Sequence, residues 1–404
     1  MFERRIPEWL RHAPTPTVRG FATLAAFEAI TRGMLISVFP IAMYEALKDA
    51  ALISSIYFAI GIISLFTGLL VPFLTRFVPR RWVYSIGALA FVLGSGLASV
   101  GTPALTILGV TLNSIATVTT FVCFNAYVLD YIARTQLGKS ETLRMFYSAL
   151  GWTVGPVLGV LLWGWWRPAP FLIAAASATI MLAAFLYMRL GNGRLIVRAR
   201  KPAPNPLAFL GRFAQQPRLI AGWLFAVIRS CGWWAYVVYL PIFAVENGMS
   251  QQLGGTMLSI TNASLFLAPF MLRWVQARSI RTGVRTGFMA CAVLFILASL
   301  GDIAPWPAIA ALFVASLFLI LLDICAGLPF LMAVKPSERT EMSAIYSSYR
   351  DVSGIATPGI AWLVLLVAPI SGIFAAAGGA CLLAWGIAAR LNPRLGAVRC
   401  APPA

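Results

Sequence analysis

Long runs of apolar residues, separated by short polar stretches, dominate the pattern of the chain. A helix needs about 20 mostly apolar residues to cross the hydrocarbon layer of a membrane. The apolar residues of these runs do not alternate with polar ones, as they would in the strands of a membrane barrel, so the pattern predicts helices. We number the predicted helices spans 1 to 12: Phe21–Tyr44, Ala51–Leu74, Trp82–Val100, Ala104–Ala133, Thr142–Trp166, Phe171–Leu190, Leu219–Val245, Leu253–Trp274, Val284–Leu300, Pro307–Val334, Met342–Val367 and Ile370–Ala389.

Composition indicates that the solvent of these helices is lipid. Of the 404 residues, 60% are hydrophobic and only 11% are charged, whereas a soluble domain carries about 25% charged residues. The net charge of +18 does not indicate a nucleic-acid partner, because the lysines and arginines lie in short clusters between the spans. The sequence therefore predicts an all-α membrane protein embedded in the lipid bilayer.

The basic clusters also predict the orientation in the membrane. One face collects both chain ends, the 2–3, 4–5, 8–9 and 10–11 loops and a central linker, whereas the other face has only Lys48 and Arg167. Because positive residues are enriched on the cytoplasmic side, we expect a multi-pass protein of the bacterial inner membrane with both termini in the cytoplasm.

A basic, proline-containing linker at residues 191–218 divides the chain into two halves of similar length, 1–190 and 219–404. The motif P-F-[LM]-x-R-[FW]-V occurs at Pro72–Val78 and again 197 residues later, at Pro269–Val275. The alternative to an internal repeat is convergence of loops at membrane exits.

A second pair of matching positions supports the repeat. Pro40, followed by Glu45, recurs 201 residues later as Pro241, followed by Glu246. Two matches in the same order and at nearly the same offset predict two pseudo-symmetric six-helix bundles, an architecture known for transporters.

Together these features resemble the major facilitator superfamily, whose fold has two six-helix halves. The segment Leu74–Arg81 is similar to the family's 2–3 loop motif G-x-L-a-D-R-x-G-r-r, with Thr75 in place of the acidic residue. Gly151–Gly159 is similar to the G-x-x-x-G-P-x-x-G-G motif of the family's antiporters, with Val160 replacing the last glycine. The resemblance implies a secondary transporter working by alternating access, and the second motif favours efflux. The same glycines also allow helices to pack closely.

Ionisable residues in the middle of a membrane are costly and mark function by default. Arg32 and Arg229 are 197 residues apart, the offset of the repeat, and so occupy equivalent positions in spans 1 and 7. Two such guanidiniums suit carboxylate or phosphate, and the chain thereby resembles organic-anion transporters of the superfamily. Alternatively, Glu28 neutralises Arg32 within one helix, and Arg229 pairs with Asp323 or Asp351.

These charges and their polar neighbours give three sets of candidate residues. For substrate binding we expect Arg32, Arg229, Arg350, Asn125, Tyr346, Trp233 and Asn262. For proton coupling, which requires a carboxyl group that changes charge, we expect Asp323, Glu28 and Asp351. Asp323 is preferred because no basic residue lies within a helical turn of it; the alternative is a counter-ion role for an arginine on another helix. For gating by ion pairs, with solvated loop charges as the alternative, we expect Arg76, Arg80, Asp130, Glu141, Arg144, Arg273 and Glu341.

The cysteines, the single histidine and the absence of a nucleotide-binding motif limit the possible classes of function. The six cysteines show no metal-ligand spacing and the single histidine, His12, lies in the N-terminal tail, so we expect neither metal nor cofactor. No ATP-binding motif occurs. We predict a monomeric, proton-coupled transporter of a small organic solute, with an organic anion as one option. The alternatives are uptake or anion exchange by the same fold and, from other classes, a non-transporting scaffold or receptor, or a membrane enzyme.

Overall fold

The computed structural model describes residues 17–75, 77–132, 137–188, 210–334, 342 and 345–392. Within these ranges every regular element is helical, and eleven helices are long and apolar enough to cross a membrane. The helix Tyr349–Leu365, 17 residues long, corresponds to predicted span 11 and completes the series. The prediction of an all-α membrane protein is therefore confirmed.

The spans follow the predicted order. Spans 1 to 6 consist of Val18–Leu35 with Val38–Leu47, then Ala50–Leu74, Arg80–Ala98, Pro103–Tyr131, Leu137–Trp165 and Ala169–Tyr187. A short helix, Leu210–Ala214, precedes span 7. Spans 7 to 12 consist of Pro217–Trp234 with Ala235–Tyr239 and Leu240–Glu246, then Gln252–Ala263 with Ser264–Leu267 and Ala268–Ala277, then Ile280–Ala298, Pro305–Cys325 with Leu328–Ala333, Tyr349–Leu365 and Ser371–Ala388.

The chain forms two compact units. Unit 1 is drawn from Met1–Ala46 and Ile62–Ala199, and unit 2 from Leu47–Gly61 and Arg200–Ala404. The beginning of span 2 groups with unit 2, and there the Tyr239 hydroxyl donates a hydrogen bond to Ser54 Oγ at 2.9 Å.

Each unit has the same internal order of packed helices. In unit 1, span 1 packs against spans 5 and 6, and span 3 packs against spans 4 and 6. In unit 2, span 7 packs against spans 11 and 12, and span 9 packs against spans 10 and 12. Equivalent helices therefore make equivalent contacts, which is the arrangement that the sequence repeat predicts.

Prolines interrupt both spans 1 and 7. Proline cannot donate a hydrogen bond to the residue four positions earlier. Span 1 breaks after Leu35, shortly before Pro40, and span 7 widens into a π-helix at Ala235–Tyr239, shortly before Pro241. Wide turns of this kind are frequent at functional sites.

A buried chain of hydroxyl groups anchors the π-helical segment to spans 8 and 10. Tyr236 Oη lies 2.8 Å from Thr261 Oγ1, which lies 2.8 Å from Ser316 Oγ. Ser316 donates to the Phe313 carbonyl oxygen at 2.6 Å. Because each hydroxyl has one hydrogen, Tyr236 donates to Thr261 and Thr261 donates to Ser316. The wide turn of span 7 is thus held in place by three successive hydrogen bonds.

Candidate substrate-binding site

An ion pair between spans 7 and 10 forms the centre of the candidate site in unit 2. Arg229 Nη2 lies 3.0 Å from Asp323 Oδ1, and Arg229 Nε donates to the Leu319 carbonyl oxygen at 3.4 Å. The Arg229 side chain is 16% exposed, whereas the Asp323 side chain is 52% exposed. The carboxylate is therefore the accessible partner, and the guanidinium is held behind it.

Aromatic and small side chains surround this pair. A small cavity of about 20 Å³, enough for about one water molecule, is lined by both charged residues and by Ala226, Leu322, Ala326, Gly327, Tyr346 and Tyr349. The two tyrosine rings lie 5.2 Å apart, centre to centre. A Cβ atom on Gly327 would lie 2.6 Å from the Tyr346 hydroxyl, so glycine at this position leaves room for the ring.

Polar contacts between spans 7 and 11 position the two tyrosines. Trp223 Nε1 donates to Ser348 Oγ at 3.2 Å, and Ser353 Oγ donates to Ser230 Oγ at 2.7 Å. Because Ser230 follows Arg229 in the chain and Ser348 precedes Tyr349, these bonds set the aromatic wall beside the arginine.

A second pair of opposite charges lies at the beginning of span 11. Arg350 and Asp351 are both exposed, and Arg350 lies over the Tyr349 ring, with its Nε 3.1 Å from the tyrosine hydroxyl. Together with Arg229 and Asp323, they give this part of unit 2 as many positive as negative charges.

Unit 1 contains a comparable arrangement on span 1. Arg32 Nη1 lies 3.1 Å from Glu28 Oε1, one helical turn away, and the guanidinium lies 5.1 Å from the centre of the Trp152 ring. In unit 2, Arg229 similarly lies 5.8 Å from the centre of the Trp233 ring. Each of the two equivalent arginines therefore contacts one carboxylate and one tryptophan within its own unit.

Close packing of spans 1 and 5 brings Arg32 and Trp152 together. A Cβ atom on Gly155 would lie 2.7 Å from the backbone carbon of Gly33 and 2.9 Å from the Met34 nitrogen. A Cβ on Gly151 would meet the backbone of Ala29 at 2.8 Å. The glycines of the span 5 motif therefore let two backbones touch, the packing role that the sequence left as an alternative.

The other predicted substrate residues lie in different surroundings. Trp233 is partly buried below Arg229, and Asn262 is buried in span 8 beside Thr261. Asn125 is partly buried in span 4 and belongs to unit 1. Trp233 thus adjoins the ion pair of unit 2, whereas Asn262 directly follows Thr261 of the hydroxyl chain in span 8.

The structure describes some of the predicted gating residues. Arg80 is partly buried, with its guanidinium 5.3 Å from the centre of the buried Tyr127 ring. Arg144 is partly buried, and the exposed Arg273 lies over Phe270 at 5.9 Å. The remaining predicted gating residues lie, at least in their side chains, outside the described residues: Arg76, Asp130, Glu141 and Glu341.

Sequence reasoning missed two aromatic members of these clusters. Tyr349 lies three residues after Tyr346 and directly before Arg350, so helical spacing could have revealed it. Trp152 approaches Arg32 from another helix, and no spacing within the sequence indicates that contact.

Comparison with known proteins adds a family and a fold. A family model described as the Major Facilitator Superfamily matches residues 21–358. No curated protein matches the chain in sequence. The crystal structure of nucleoside transporter NupG is similar with a TM-score of 0.73 at 16% identity, over 93% of this chain and 99% of that one. A mutant of NupG gives a TM-score of 0.75 at 16% identity, over 92% and 98%. A POT family transporter in complex with 5-aminolevulinic acid gives 0.73 at 12% identity, over 92% and 94%.

Proposed function

Because the chain belongs to the major facilitator superfamily of membrane transporters, we propose that it is a proton-coupled secondary transporter of a small, net-neutral organic solute. The observation that carries the proposal is the Arg229–Asp323 pair, whose exposed carboxylate lines a small aromatic-walled cavity while its guanidinium is mostly covered. Alternating access by two six-helix halves supplies the mechanism.

Charge balance supports a net-neutral solute. Arg229 is paired with Asp323, and Arg32 is paired with Glu28. An organic anion would have to displace a carboxylate from one of these arginines and leave that carboxylate unpaired inside the membrane, which is costly. A solute with hydroxyl or amide groups can donate to Asp323 while the ion pair stays intact. The structure therefore favours a neutral or zwitterionic solute over the organic anion that the paired arginines suggest.

The exposed carboxylate of Asp323 provides a means of proton coupling. Ionised Asp323 accepts a charge-assisted hydrogen bond from Arg229 and can accept another from the solute; a protonated carboxyl has lost the charge that makes such bonds strong. A proton and a solute donor therefore compete for one group, as antiport requires. Export is the direction that we propose, because the span 5 motif is similar to that of antiporters.

A matched pair of ligands tests the solute class. A nucleoside and its monophosphate share the same base and sugar, and differ by the charge of the phosphate. We expect the nucleoside, or zwitterionic 5-aminolevulinic acid, to raise the unfolding temperature of the purified protein more than the monophosphate does. Stabilisation by the monophosphate alone would instead support anion exchange through Arg32 and Arg229.

Replacing Asp323 with asparagine is expected to abolish solute flux driven by a pH gradient in proteoliposomes, because asparagine cannot take up a proton. Solute binding to the wild-type protein should weaken as the pH is lowered, because protons compete with the solute in the proposed mechanism. Solute binding to the Asp323→Asn variant should no longer weaken as the pH is lowered. Flux and solute binding are measured on the same purified samples of each protein.

Asp302→Asn is the matched control for this experiment. Asp302 accepts a hydrogen bond from Ser371 Oγ at 2.6 Å and takes no part in the cavity of Arg229 and Asp323. The control should keep its pH-driven flux. Undiminished flux in Asp323→Asn, or equal loss in both variants, would show that Asp323 does not couple protons to transport.

A further inference from the structure

Two arginines lie where span 9 begins and span 12 ends in unit 2. Arg281 and Arg285 are four residues apart at the beginning of the helix Ile280–Ala298 and therefore project from the same side. Arg281 Nη2 donates to the Ala389 carbonyl oxygen at 2.7 Å. The Arg285 guanidinium lies 5.2 Å from the centre of the Trp385 ring. The two side chains and the end of span 12 form one continuous surface, which we call the span 9–12 basic site.

The positive charge of the span 9–12 basic site is not compensated by the part of the chain that the structure describes. Neither arginine forms an ion pair with a carboxylate there. Both side chains are partly buried, and the Nε atom of each is buried without a hydrogen-bond partner. Charge that is partly withdrawn from water is costly unless an opposite charge accompanies it. The site therefore suits an anionic ligand.

The depth of the span 9–12 basic site in the membrane indicates which anion can reach it. Span 9 has 19 residues, a length of about 28 Å at 1.5 Å per residue, which is close to the hydrocarbon thickness of about 30 Å. Its first turns therefore lie near the level of the lipid head groups, where tryptophans such as Trp385 are enriched. Leu382 and Leu383, three and two residues before Trp385 in span 12, are exposed and offer an apolar surface for an acyl chain.

We propose that Arg281 and Arg285, together with Trp385, bind the phosphate of an anionic phospholipid. Guanidinium groups bind phosphate through several parallel hydrogen bonds, and basic pockets between membrane helices are known sites for anionic head groups. The acyl chains then cover the exposed leucines of span 12. This binding is independent of the solute and of the direction of transport.

The test measures lipid binding to the purified full-length protein in detergent. Unfolding temperature is followed during titration with phosphatidylglycerol, phosphatidylcholine or inorganic phosphate, and bound lipids are counted by native mass spectrometry. Phosphatidylglycerol is expected to stabilise the wild-type protein, and the other two are not. Arg285→Gln removes direct charge-assisted hydrogen bonds to the phosphate, so it should weaken the apparent affinity for phosphatidylglycerol by about tenfold or more.

Arg278→Gln is the matched control, because Arg278 also lies over a tryptophan, Trp274, at 4.6 Å, but is exposed. The control should bind phosphatidylglycerol like the wild type, and Arg285→Lys, which keeps the charge, should bind better than Arg285→Gln. If Arg278→Gln and Arg285→Gln weakened phosphatidylglycerol binding equally, the effect would come from general surface charge and the proposed binding site would be wrong. If phosphatidylcholine or inorganic phosphate stabilised the protein as much as phosphatidylglycerol does, the assignment to an anionic lipid would be wrong.

Discussion

Arg229→Met is expected to abolish transport and to destabilise the protein, because it leaves Asp323 as an unpaired charge inside the membrane. Breaking a fully buried pair costs about 3–5 kcal/mol. Since the Asp323 side chain is 52% exposed, we expect a smaller loss, about 1–3 kcal/mol, because solvent screens the remaining charge. Flux into proteoliposomes and the unfolding temperature in detergent measure the two effects.

Two further variants separate stability from transport. Arg229→Met combined with Asp323→Asn removes both charges and should restore most of the stability without restoring transport. The exchange variant, Arg229→Asp with Asp323→Arg, keeps an ion pair but moves the carboxylate to span 7, so it should also fold without transporting. Full activity in either combination would show that the pair is structural and that the solute binds elsewhere.

Gly155→Ala is expected to separate spans 1 and 5 and to lower both stability and transport. The added Cβ would meet backbone atoms of Gly33 and Met34 at 2.7 and 2.9 Å, and backbone cannot move aside as a flexible side chain can. Overpacking of this kind typically costs about 1–3 kcal/mol. Because span 1 carries Arg32 and span 5 carries Trp152, the same displacement should weaken their contact and reduce flux.

Gly96→Ala provides the control within unit 1. A Cβ at Gly96, in span 3, would meet nothing within 4 Å, and alanine is a better helix former than glycine by about 1 kcal/mol. This variant should be as stable as the wild type or more so, and equally active. If Gly155→Ala also retained the wild-type unfolding temperature, the close contact between spans 1 and 5 would not limit stability.

Much of the fold could be predicted because its physical cause is local. The lengths of the apolar runs indicate the spans, and the recurrence of Pro40 as Pro241 indicates the repeat, although it did not predict the interruptions of spans 1 and 7. The pair Glu28–Arg32 follows from helical spacing alone. In each case the signal lies within one helix, or in the comparison of one helix with its equivalent.

The features that the sequence could not predict depend on contacts between helices. The sequence left Asp323 either an isolated carboxyl group or the counter-ion of an arginine on another helix, and left Arg229 paired with Asp323 or Asp351; only the structure shows that Arg229 reaches Asp323 from span 7. Likewise, the glycines of span 5 were open to a functional or a packing interpretation, until the closeness of Gly155 to Gly33 showed what they contact. Sequence spacing carries no information on such partners, because it does not describe how helices rotate against each other.

The π-helical turn of span 7 also affects how the two halves should be aligned. Arg32 and Pro40 are eight residues apart, whereas Arg229 and Pro241 are twelve apart. Four additional residues advance an α-helix by about 40° more than one full turn, and the wider turn at Ala235–Tyr239 absorbs part of that excess. Paired substitutions that probe both copies of the repeat must therefore add 197 to the residue number before this turn and 201 directly after it, or they will compare positions about one helical turn apart along the span.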